Sequence, residues 1–155
     1  MSYEPLYVAY LVYFNRDRDF FECHEVLEEL WLQRNRDPLY KGLLQVAVGL
    51  FHFRNGNASG AHKMLTSAVE RLGPYPADSL GIDLGKLREE AASYAKALEL
   101  YDEGPFSYYD LTIIIRDPEL RSAARRAAAD IRPNIPMRLA PQRGAKHDER
   151  KLKNT

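Results

Sequence analysis

Two short stretches hold the residue types that do chemistry. The first runs Phe20-Phe-Glu-Cys-His-Glu-Val-Leu-Glu-Glu-Leu-Trp31. His24 and Glu28 lie four apart, so on a helix their side chains meet. Phe20, Cys23, Leu27, Leu30 and Trp31 form the apolar face of that helix, and Glu22, Glu25 and Glu29 fall on the opposite, solvent side. His24 and Glu28 sit at the boundary, beside Trp31. The second stretch is Lys41, Gln45 and His52, spaced i, i+4, i+11 along one side of an otherwise apolar helix. Polar groups on a buried helix need partners. The expectation is therefore a binding pocket in which His24, Glu28, Gln45 and His52 meet, walled by Trp31 and aromatic rings.

His24-Glu25-Val26-Leu27-Glu28 is also a variant of the zincin pattern H-E-x-x-H, with Glu in place of the second His. Ligands at i and i+4 are geometrically sound, and His52 is a candidate third. This gives an alternative reading, a metal-binding protein or metal-dependent hydrolase using His24, Glu28 and His52. Against it stand the missing second His and a base, Glu25, that faces solvent. No Glu precedes His24 by three, so the di-iron pattern is not met. The favoured expectation is a hydrogen-bonded network with no metal and no cofactor. Cys23 reads as a small core residue. It cannot pair with His24 as a nucleophile, because neighbours on a helix diverge. There is no phosphate-cradling Gly-rich loop, Ser elbow or zinc-knuckle spacing, which weighs against the common enzyme classes.

Helices must position these groups. Pro5 to Phe14 forms the first, with Pro5 in a turn that tolerates it. Asp17 or Asp19 caps the second, Phe20 to Gln33. Asp37-Pro38 opens the third, which runs to Arg54; Asn55-Gly56-Asn57 ends it and starts the fourth, which reaches Leu72. After Gly73-Pro74 and a loop from Tyr75 to Ile82, Asp83 caps a fifth helix with Leu84, Leu87, Ala91, Tyr94, Ala95 and Leu98 at helical spacing. Short connections favour antiparallel neighbours. The fold class is thus all-α, a compact bundle of antiparallel helical hairpins plus a C-terminal extension. Leu43, Leu44, Val46, Ala47, Val48, Leu50, Phe51 and Phe53 surround the third helix, which marks it as the buried central one. Gly42 and Gly49 on one side would let a neighbour approach closely. A weak repeat aligns Cys23–Leu27 with Ala61–Leu65, and Gly42 to Pro74 resembles one tetratricopeptide unit.

Beyond Gly104-Pro105 the character changes. Phe106 to Ile115 is aromatic and β-branched, which favours extended backbone. Glu119 to Ile131 can form a helix. From Arg132 onward prolines interrupt a basic sequence. The expected organisation is a bundle domain at 1–104, an arm and short helix at 105–131, and a basic mobile tail at 132–155. Formal net charge is zero, yet residues 1–115 carry 11 basic against 17 acidic groups, and residues 116–155 carry 11 against 5. A basic tail can bind nucleic acid, but no nucleic-acid motif accompanies it, so a solvated tail is the expectation. One cysteine forbids an internal disulfide and fits a reducing compartment. With no secretory signal and no apolar run of membrane-spanning length, the expected location is the cytoplasm.

Phe14-Asn15, the His24–Trp31 stretch, Leu43-Leu-Gln45-Val-Ala, His52, Gly56-Asn57 and Gly81-Ile-Asp83 together resemble the family called domain of unknown function 309, over roughly Leu6 to Leu98. The resemblance implies a small helical bundle with no assigned activity. The residues matching its motif are His24, Glu25, Glu28, Trp31 and Gln45, and it says nothing about Pro105 to Thr155. The reading is a non-catalytic binding or scaffold module for a protein or small-molecule partner. A homodimer is also expected, with the apolar arm or the Tyr-rich first helix (Tyr3, Tyr7, Tyr10, Tyr13) in its interface.

Overall fold

The computed structural model describes residues 3–134. The tail expected to be mobile lies, from 135 onward, outside the described residues. Among the described residues are six α-helices: α1 (Pro5–Val12), α2 (Phe20–Gln33), α3 (Pro38–Arg54), α4 (Ala58–Leu72), α5 (Leu84–Glu99) and α6 (Pro118–Asp130). Local chemistry sets most of their starts. The side chains of Asp19, Asp37, Asn57, Asp83 and Asp117 each accept a backbone N–H from the first turn that follows. Each such cap stabilises its helix by about 1 kcal/mol. None of these helices is long and apolar enough to cross a membrane.

The chain is all-α, with α3 packed against both α2 and α4, and α4 in turn against α5. Leu43, Val46, Ala47 and Leu50 of α3 are fully buried. Gly42 and Gly49 explain how close α4 lies. A Cβ at Gly42 would fall 2.7 Å from Leu72 Cδ2, and one at Gly49 would fall 2.7 Å from Leu65 Cγ. One strip of α3 escapes burial: Val48, Phe51 and His52 are half-buried, so the central helix is not enclosed all round.

The first helix ends earlier than expected. After Val12 the chain widens into a π-helical turn, Tyr13–Asp17, and leaves it through Arg18 in the left-handed region at φ 54°. The Asp19 N–H then donates to Tyr13 O at 3.0 Å, which closes the corner into α2.

The corner also holds the arm. From Phe106 to Ile115 the chain forms no helix, and Leu111 and Ile113 are buried while Thr112 and Ile114 are exposed, the alternation of a strand. Asn15 clamps it in both directions: its Nδ2 donates to Ile113 O and its Oδ1 accepts from Ile113 N–H, both at 2.9 Å. Arg18 donates to Leu111 O and Thr112 Oγ1. At the far end, Ile115 bridges Ile82 in antiparallel fashion. Phe106 enters a ring cluster with Phe53, Tyr94 and Tyr101. Helix α6 packs on α1, and Tyr3 donates to the Asp117 carboxylate. The arm thus covers its own bundle. Tyr7, Tyr10 and Tyr13 are buried as well. This corrects the expectation that the Tyr-rich helix offers an interface: those rings form the chain's own core.

Candidate functional site

Helices α2 and α3 run antiparallel, and two contacts fix their register. Near one end the Phe21 and Phe51 rings lie 6.1 Å apart; near the other, Lys41 Nζ sits 4.6 Å from the Trp31 ring. Between these contacts lie His24, Glu25 and Glu28 on α2 and Gln45 on α3. At the Phe21–Phe51 end the seam opens into a cleft of about 230 Å³, lined by Phe20, Phe21, His24, Val48, Phe51 and His52. The walls are aromatic and aliphatic, with the two imidazoles as their polar groups. Partial burial lowers the His52 pKa below the ordinary imidazole value, because desolvation disfavours its cation.

Outside the cleft, His24 stands between two carboxylates. Its Nε2 is 3.5 Å from Glu28 Oε2, and its Nδ1 is 3.7 Å from Glu25 Oε1. The i, i+4 pairing of His24 with Glu28 is therefore present. Donor atoms of His24, Glu25 and Glu28 lie within 4.8 Å of one another, a grouping that does not include His52. Glu25 differs from expectation: it is buried, and Glu22 is fully buried. The helical wheel assumed one buried face, whereas α2 is covered by α1 and the π turn as well as by α3.

Of the five expected pocket residues, two line this cleft. His24 and His52 share the cleft, while Glu28 meets His24 beside it. Trp31 lies apart, its ring engaged by Lys41 and by the Arg36 guanidinium at 5.3 Å. Gln45 is buried in the seam, and its Oε1 has no hydrogen-bond partner.

A second buried polar cluster escaped the sequence reading. Asp17, Asp19 and Glu22 are essentially inaccessible. Arg16 grips Asp17 through Nε and Nη2, at 2.7 and 3.0 Å, and donates to Ala128 O and Ile131 O at the end of α6. Asn134 donates to Asp19 at 2.5 Å. Burial raises the Asp19 pKa, partly offset by that bond. Burial likewise raises the Tyr13 phenol, helped by the nearby Glu22, Asp19 and Asp17. Cys23 is buried, with its thiol 3.6 Å from Tyr10 O and its pKa pushed well up by desolvation, as befits a core residue. The available signal was the alternation Arg16-Asp17-Arg18-Asp19, dense charge in a short corner. Capping, the role that alternation suggests, holds for Asp19.

Residues 7–64 match the family described as "Domain of unknown function (DUF309)". The chain is also 34% identical over 128 residues to the protein named "Uncharacterized protein YpuF" of Bacillus subtilis (strain 168), covering 79% of this chain and 71% of that protein. The chain belongs to the DUF309 family. A second DUF309-chain relative, an "Uncharacterized protein" of Aquifex aeolicus (strain VF5), is 34% identical over 73 residues, 45% of this chain and 22% of that protein. No solved structure matches. The residues lining the cleft, together with Glu25, Glu28 and Gln45, fall inside the stretch matched to DUF309; the arm and α6 fall outside it.

Proposed function

We propose that this DUF309 chain is a non-catalytic ligand-binding module. In this reading the α2–α3 cleft receives a small aromatic guest and the two imidazoles orient it. The carrying observation is the cleft itself: aromatic walls with His24 and His52 among them. A concave apolar site with a few polar groups is the usual form of a small-molecule site. An apolar cavity of about 150 Å³ holds benzene, so a cleft of about 230 Å³ suits a bicyclic ring. Either imidazole can donate to or accept from such a guest, according to tautomer.

Indole, a bicyclic ring with one N–H donor, is the probe. Titrated into the full chain, it should shift the ring resonances of His24 and His52 saturably, and Val48→Phe should abolish those shifts by filling the cleft. Small unsaturating shifts spread over the whole surface would refute the reading. The lone buried thiol suits a reducing compartment, and we place the protein in the cytoplasm on that ground. For a homodimer, the arm offers Tyr109 and Ile114 among the exposed large apolar side chains, beside Leu32 and Leu100.

A further inference from the structure

We propose that the α2–α3 cleft is the docking surface for the chain's own C-terminal segment, Ile135 to Leu139, with Met137 against the Phe21 and Phe51 rings. The segment and a small guest then compete for one cleft, but docking does not require that any guest binds.

The route of the chain leads to the cleft. After α6 the backbone is held twice at the corner that opens α2. Arg16 donates to Ala128 O and Ile131 O, and Asn134 Nδ2 donates to Asp19 Oδ2 at 2.5 Å. Asp19 is also the cap of α2, its Oδ1 accepting the Glu22 N–H. The two residues that follow it, Phe20 and Phe21, line the cleft. Asn134 is thus tied to the residue next to the cleft's lining, and residues 135–155 continue from that point. Extended chain advances about 3.3 Å per residue, so Met137 can reach about 10 Å beyond Asn134, nearly two turns along α2.

The residue types match the walls. Ile135, Met137 and Leu139 alternate with Pro136 and Arg138. Pro136 biases Ile135 toward extended backbone, and along extended backbone alternate side chains share a side. One side of this segment is therefore apolar. A Met thioether is unbranched and packs favourably on aromatic rings, and Phe20, Phe21, Phe51 and Val48 supply the apolar walls. Charge gives a second match. Helix α2 carries four glutamates and neither Lys nor Arg, whereas residues 135–155 carry six basic side chains against two acidic ones. Arg138, next to Met137, comes to the rim where Glu25 and Glu28 flank His24. The tether makes a weak contact sufficient. A short connection presents the segment at about millimolar effective concentration, an advantage that a second copy of the chain lacks.

The test is the spectrum of the full chain labelled at the methionine Cε methyls, of which there are three: Met1, Met64 and Met137. Met137 should show nuclear Overhauser contacts to the Phe21 and Phe51 rings, unchanged on dilution. In the full chain, Met137→Asp should abolish docking by placing a carboxylate against apolar walls, and Arg138→Glu should weaken it. With the cleft open about a tenth to a third of the time in the unaltered chain, indole should bind about 3- to 10-fold tighter to Met137→Asp. A Met137 methyl without contact to those rings overturns the proposal. So does a contact that fades on dilution, which would mark the segment of a second copy, or equal indole affinity in the two chains. Indole binding to neither chain refutes the guest reading alone, because the Met137 contacts are read without indole.

Discussion

Asn15→Ala should loosen the arm without dismantling the bundle. Asn15 makes two bonds of 2.9 Å to the Ile113 backbone, and Ile113 is 1% exposed, so water cannot replace them. Leaving the buried N–H without its partner costs about 1–3 kcal/mol, and the C=O loses its partner as well. Holding the arm down in the meantime are Leu111 and Ile113, each contributing roughly 1.5–3 kcal/mol by burial. The arm should therefore remain docked but open more often. Hydrogen exchange at the Ile113 amide should accelerate about 5- to 150-fold, the conversion of that cost at a factor of ten per 1.4 kcal/mol. The melting temperature should fall by about 2–4 °C per kcal/mol lost. Asn15→Asp separates the two bonds, since the carboxylate still accepts from Ile113 N–H but no longer donates to its carbonyl. Exchange at Ile113 should be slower in Asn15→Asp than in Asn15→Ala. Unchanged exchange at Ile113 in Asn15→Ala would show that burial alone holds the arm and would refute the reasoning.

Other outcomes follow from burial and charge. Leu50→Ala should cost roughly 2–5 kcal/mol as a core truncation, whereas Phe51→Ala should cost less, because Phe51 is half-buried, and should abolish indole binding; chemical denaturation reads the first and titration the second. Cys23 should resist an aromatic disulfide reagent in the native protein and react at the global unfolding rate, because burial raises its thiol pKa and denies access. His52 has a folded pKa below its unfolded value, so the unfolded chain binds more protons across that interval. Its contribution is then full above the unfolded value of about 6.5 and declines as pH falls through the folded value. Denaturation midpoints should drop across that window, and His52→Gln should flatten the drop.

Helix ends were legible because they are encoded locally. Asp37-Pro38, Asn57 and Asp83 each state a cap within one turn of the residue they serve. The π turn was not legible, since one extra residue per turn leaves no mark on a 3.6-residue pattern. Its consequences are large: it sends Asn15 to the arm and encloses Asp17. The arm's composition announced that it must cover something. Its address, however, is written in Asn15, Tyr3 and Gly81, which no local rule connects to residues 106–117.

The seam shows how far local pattern reaches into the site. That His24 and Glu28 meet follows from spacing within one helix, and the structure has them 3.5 Å apart. Which α3 residues oppose them is set by the turn between the helices. There Asn35 and Arg36 both adopt positive φ, at 55° and 59°, a conformation that Asn tolerates and Arg adopts rarely. That turn places Phe51 against Phe21 and Lys41 against Trp31. Trp31 is consequently engaged by cations and does not line the cleft, and His52 falls beside Phe21 rather than beside Glu28. Had α3 entered with Gln45 facing the cleft, its amide could have found a guest or an imidazole. As it stands, Gln45 is buried with its Oε1 unpaired, on the helix that packs against α2, where an imidazole is flanked by two carboxylates. The strained turn thus separates an aromatic cleft from a polar seam, and His24 is the side chain common to both.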